Sequence, residues 1–106
     1  MHVISKRPFN DAAKKYPNDR AALMDMYRVL NSTVFKTPDE LRAVFPSLDN
    51  FKYKDRWWVL DVGGNNLRVM AFIQFVNSRI YIKHIVSHAE YDQLTGKYRK
   101  ASNKRR

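Results

Sequence analysis

A chain of 106 residues without cysteine excludes disulfide frameworks, thiolate zinc sites and a cysteine nucleophile, and it leaves room for one core. Its 44% hydrophobic and 28% charged residues match an ordinary globular protein, which excludes wholesale disorder. Twenty basic against ten acidic side chains give a formal charge of +10, for which a polyanion is the natural partner.

That excess is unevenly spread. Residues 97–106 hold Lys97, Arg99, Lys100, Lys104, Arg105 and Arg106 without an acid, and are expected to form a disordered basic tail behind a domain of residues 1–96. Such a tail attracts any phosphate-rich surface and specifies no chemistry. Met1 to Arg7 hold no apolar segment of signal-peptide length, and no later run approaches the ~18 apolar residues needed to span a bilayer. A cytoplasmic protein without a membrane partner is expected.

Val3-Ile4 opens a short strand. Phe9, Ala12, Ala13 and Tyr16 then recur at helical spacing, and Pro17 stops that helix because the residue before proline avoids the α region. Asn18 is the candidate N-cap of a second helix whose stripe is Leu23, Met26, Tyr27 and Leu30, so a helical hairpin follows. Thr37-Pro38-Asp39-Glu40 starts a third, short helix with an N-cap, a proline in the first turn and a capping-box glutamate, and Pro46 ends it.

From Trp57 the period falls to two, predicting strands at 57–62, 67–76 and 79–86. Gly63-Gly64-Asn65-Asn66 tolerates positive φ and joins the first two as a hairpin. The strand 67–76 is apolar on both alternating sets apart from Arg68 and Gln74, the mark of a central strand covered on both faces. The expected class is α+β, with an N-terminal helical hairpin packed on one side of a small antiparallel sheet.

Ionisable groups gather where the last strand stops, in His84, His88, Glu90, Tyr91 and Asp92. Cutting RNA without a metal requires a base for the 2′-hydroxyl proton, cations for the phosphorane and an acid for the leaving 5′-oxygen. Imidazole titrates near neutrality, which makes His88 a candidate acid or base, whereas a surface or capping histidine is the plainer role. Tyr91 can donate a proton or stack on a base, or simply plug the core. Glu90 and Asp92 can orient His88 or an arginine, or sit in solvent at a helix start. Arg68 can clamp a phosphate and Lys83 can contact one, and both can equally be solvated strand residues. Lys52, Lys54 and Arg56, interleaved with Phe51 and Tyr53, suit a phosphate backbone with stacked bases.

His84 and His88 would share one face of a helix, but residues 79–86 alternate as a strand, so the logic of a helical zinc site fails. No metal or other cofactor is expected. Neither phosphate-loop pattern of glycines is present.

Four stretches resemble one family. They are Asp11-Ala12-Ala13 with Lys15-Tyr16-Pro17; Val44 to Tyr53; Val62-Gly63-Gly64-Asn65 with Leu67-Arg68-Val69; and Tyr81-Ile82-Lys83 with His88-Ala89-Glu90-Tyr91-Asp92. The chain resembles the HigB toxins, a branch of the RelE-like messenger-RNA interferases, with Ser87 where the pattern often has threonine. The resemblance implies a RelE-like toxin fold and a metal-independent endoribonuclease acting on messenger RNA in the ribosomal A site. It also implies a type II toxin-antitoxin system and a HigA-type helix-turn-helix antitoxin as partner. By that likeness Arg68, Lys83, His88 and Tyr91 form the catalytic set with Asp92 in support, while Lys52, Lys54 and Arg56 are expected to bind RNA from their basic-aromatic pattern. The competing readings are a non-enzymatic RNA- or ribosome-binding module and, without an evident basic recognition helix, a DNA-binding regulator.

Overall fold

The computed structural model describes residues 1–104. Its elements run β1 (His2–Val3), α1 (Arg7–Lys15), a 3₁₀ turn (Pro17–Asp19), α2 (Arg20–Ser32), α3 (Pro38–Val44), β2 (Asp49–Asn50), β3 (Trp57–Val62), β4 (Leu67–Gln74), β5 (Arg79–Ser87) and α4 (His88–Lys104). The α+β class stands. The five strands lie in the order β1-β5-β4-β3-β2, antiparallel except for β1, which runs parallel to β5.

Local signals account for most element ends. Thr37 Oγ1 accepts from the Glu40 amide at 3.2 Å, and the Glu40 carboxylate reaches back to the Lys36 amide at 2.6 Å, one residue before the cap. Asp19, not Asn18, occupies the cap position of α2, and its side chain makes no cap bond; it accepts from Asn66 instead. Gly63, Gly64 and Asn65 all take positive φ in the β3–β4 turn. A Cβ on Gly63 would stand 2.3 Å from Asp19 Oδ1, so a larger residue would have to displace that carboxylate as well as adopt a strained φ.

Helices α1 and α2 cover one sheet face, where Phe9, Leu23, Leu30, Leu60, Val69 and Ile80 are fully buried. Each such side chain contributes about 1.5–3 kcal/mol of burial. The opposite face is covered too, which corrects the one-sided arrangement read from the sequence. Phe51, Val59 and Met70 form a second core there, closed by Tyr91, Leu94 and Tyr98 of α4. β4 is thus the central strand with both faces packed, as its composition indicated.

Residues 97–104, expected as a disordered tail, continue α4. Tyr98 anchors them, its ring 5.8 Å from Phe51 and 5.3 Å from Trp57, so the packed body extends past residue 96. Arg105 and Arg106 lie outside the described residues. In β5 a bulge pairs Met70 with His84 and Ala71 with Ile82, leaving Lys83 as the extra residue. That insertion turns His84 toward α4 while Ile80, Ile82 and Ile85 stay with the α1–α2 core.

Candidate active site

Arg68 lies on the β4 face beneath α4, two residues from the buried Met70. Its strand partner is Asp61 of β3, and Nη1 donates to Asp61 Oδ1 at 2.7 Å. Tyr91 covers the guanidinium, with Cζ 4.9 Å from the ring centroid. The Arg68 and Asp61 side chains are only 26% and 19% exposed, and Arg68 Nε is buried without a hydrogen-bond partner. A cation is therefore held at the sheet surface by one carboxylate and one aromatic face.

The first turn of α4 brings further groups to this place. His88 and Asp92 are exposed, and with Tyr91 they follow the i, i+3, i+4 spacing of one helix side. His88 is thus one turn from the ring that sits on Arg68.

Ser87 caps this helix. Its hydroxyl accepts from the Glu90 amide at 3.4 Å and donates to the Glu90 carboxylate at 3.2 Å, a Ser-x-x-Glu box. Glu90 does not orient His88 or an arginine of the site. It accepts a 2.7 Å hydrogen bond from the Tyr16 hydroxyl, and Lys15 Nζ lies 3.6 Å away. The Tyr16 hydrogen bond, opposed by partial burial and aided by Lys15 and Ser87, holds the Glu90 carboxyl below its ordinary range.

His84 belongs to the packing under α4. Its Nε2 is 2.9 Å from the Tyr98 hydroxyl, and its ring centroid is 6.2 Å from that of Trp57. Burial, followed by the charges of Lys97 and Lys83, pushes its pKa down. It lies on β5 whereas His88 lies on α4, so the two do not share a helix face. Among the described residues, no group of three or more His, Cys, Asp or Glu side chains is placed to hold a metal ion.

The basic loop 51–56 borders the same face. Lys52, Tyr53, Asn50, Tyr91 and Thr95 line an open cleft of about 500 Å³. Lys54 Nζ lies 5.3 Å from the Tyr98 ring centroid, and Arg56 is exposed with φ of 60°. Phe51 is a correction: at 3% exposure it is core and cannot stack on a base. Lys83 does not line the Tyr91 cleft. It lines another cleft, of about 270 Å³, between the β5 edge and α1, with Asp11, Lys15 and His84.

Sequence reasoning therefore missed Asp61, Tyr16 and the capping role of Ser87. Only the last had a local signal, the Ser87-x-x-Glu90 spacing. Chemically, the face offers a fixed guanidinium, an imidazole, a phenol and a rim of lysines, a set suited to a phosphodiester. Among the described residues no helix is long and apolar enough to cross a membrane.

Residues 19–94 match the family model of the HigB toxin, described as the RelE-like toxic component of a toxin-antitoxin system. An mRNA interferase HigB of Escherichia coli is 63% identical over 99 residues, covering 93% of this chain and 96% of that protein. An mRNA interferase HigB of Shigella flexneri is 43% identical over 104 residues, covering 98% of this chain and 100% of that protein.

Proposed function

The chain belongs to the HigB family of RelE-like toxins, and from that premise we propose how the α4 face cuts messenger RNA. It is an mRNA interferase, the endoribonuclease of a toxin-antitoxin pair. In the proposed reaction a substrate 2′-hydroxyl attacks the adjacent phosphorus. The O2′–P bond forms and the P–O5′ bond breaks, leaving a 2′,3′-cyclic phosphate and a 5′-hydroxyl.

Arg68 contacts the scissile phosphate and stabilises the charge that grows on the phosphorane. His88 and Tyr91 divide the two proton transfers, one taking the 2′-hydroxyl proton and the other supplying a proton to O5′. Asp92, four residues on from His88, orients the imidazole. Lys52, Lys54 and Arg56 hold the RNA strand beside the Tyr91 cleft, and Lys83 contacts a phosphate at the β5 edge. The observation that carries this reading is the Arg68 guanidinium held between Asp61 and Tyr91 one helical turn from His88. Its working place is the ribosomal A site in the cytoplasm, and its antitoxin is of the HigA helix-turn-helix type.

Brief expression followed by mapping of transcript ends tests the chemistry. The new 5′ ends within translated codons should carry hydroxyls that a polynucleotide kinase labels without prior dephosphorylation. 5′-phosphate ends would overturn the 2′-hydroxyl attack, and stalled ribosomes on intact transcripts would favour a non-enzymatic binder.

A further inference from the structure

We infer that Asp61 is a positioning residue for the cleavage step, aiming the Arg68 guanidinium and balancing its charge until RNA arrives; this rests on Arg68 meeting the scissile phosphate. The strand register sets Asp61 directly opposite Arg68 on the face that α4 covers. At 2.7 Å the Nη1–Oδ1 bond is short and charge-assisted. Among the described residues, Arg68 is the only side chain that the Asp61 carboxylate bonds.

Two contacts fix the guanidinium plane: Asp61 holds Nη1 and the Tyr91 ring lies against one face. Nε is buried with no partner, so it does not add a third. An arginine has five N–H donors in a rigid fork, so Asp61 occupies part of one edge and leaves the Nη2 donors for an anion. Without the carboxylate, a cation 26% exposed would turn toward water, and the fork would lose its direction.

The charge balance matters to the chemistry. A phosphorane carries one more negative charge than the diester from which it forms. An arginine already paired with a carboxylate binds the ground-state diester weakly, yet its fixed donors still meet the developing charge. The contribution of Asp61 therefore falls on the rate of cleavage more than on RNA affinity.

The test is single-turnover cleavage of a translated reporter transcript, read with thermal melting, for Asp61→Ala, Asp61→Asn, Arg68→Ala and each pair of changes at both positions. Asp61→Ala should slow cleavage on the order of 10²-fold, with half-saturation no higher than that of the unaltered chain. Asp61→Asn keeps the shape and an acceptor but loses the charge, so it should recover only part of the rate and remain clearly slower than the unaltered chain. Neither Asp61 change should slow cleavage further once Arg68 is alanine. Wild-type rates for Asp61→Ala, or losses that multiply in the double variants, overturn the inference. If Asp61→Ala melts below the assay temperature, Asp61→Asn in the two Arg68 backgrounds makes the same comparison, and an equal effect in both overturns it. Wild-type cleavage by Arg68→Ala overturns the phosphate clamp itself, a failure distinct from that of Asp61 alone.

Discussion

The Tyr16 hydroxyl donates a 2.7 Å hydrogen bond to the carboxylate of Glu90, joining the end of α1 to the first turn of α4 across 74 residues of sequence. That turn carries His88 and Tyr91, so the bond ties the proposed site to the helical hairpin on the other side of the sheet. Tyr16→Phe keeps the ring packed and removes only the donor. It should cost about 1 kcal/mol, since the site is partly open to water. For a domain of this size that lowers Tm by roughly 4–8 °C. Calorimetry checks the stability, and the cleavage rate should fall with it below the melting range because the first turn frays. Unchanged melting and unchanged cutting would show that the bond does not hold α4.

The same bond gives Glu90 a pH signature. Its folded pKa is below the ordinary value of 4.5, chiefly through the Tyr16 hydrogen bond. On acidification the unfolded chain takes the proton first. The stabilisation is therefore complete above about pH 4.5 and is lost as pH falls through the folded value. Urea midpoints measured at closely spaced acidic pH should fall less steeply for Glu90→Gln and Tyr16→Phe than for the unaltered chain. Parallel slopes in all three would contradict it.

What could be read in advance was what is encoded locally. The Thr37-Pro38-Asp39-Glu40 start and the Gly63-to-Asn66 reversal each depend on a few adjacent residues, and both form as expected. Register is not local. Asp61 meets Arg68 only because β3 and β4 pair in one particular alignment, and no motif marks that. Tyr16 and Glu90 meet through packing across the sheet edge, which is further from any sequence pattern. The extent of α4 lay between these cases. Tyr91, Leu94 and Tyr98 are spaced as a helical stripe, but the six basic residues from 97 onward dominated the composition and suggested a solvated tail. In β5 the phase break from Ile80 and Ile82 to Ile85 was the visible trace of the bulge at Lys83.

His84 should make the protein less stable in mild acid. Burial first, then Lys97 on α4 and Lys83 on its own strand, hold its pKa below the ordinary 6.5. Lys54, packed on the Tyr98 ring, adds a further cation to that side. As pH drops below about 6.5 the unfolded chain gains the proton and the folded chain resists it, so stability declines until the folded pKa is passed. His84→Gln, which can still reach the Tyr98 hydroxyl, should flatten this limb. Denaturant midpoints at closely spaced pH values from neutrality downward provide the measurement, and an identical decline in the variant would assign it to other groups.

Lys52 and Lys54 should act on RNA affinity and leave the chemical step alone. Lys52 lines the Tyr91 cleft, whereas Lys54 is packed against Trp57 and Tyr98. A phosphate contact releases counterions, so each lysine that makes one contributes about 0.7 to the slope of log affinity against log salt for single-stranded RNA. Lys52→Ala should therefore weaken binding to an unstructured oligonucleotide regardless of its sequence and reduce that slope by about 0.7. Lys54→Ala should do the same and also lower Tm, because it strips a cation from two aromatic faces that help to hold α4. Filter binding over a salt series separates these outcomes from catalysis. A salt slope that neither substitution changes would place the RNA path elsewhere, with the α4 lysines Lys97 and Lys100 as the next positions to replace.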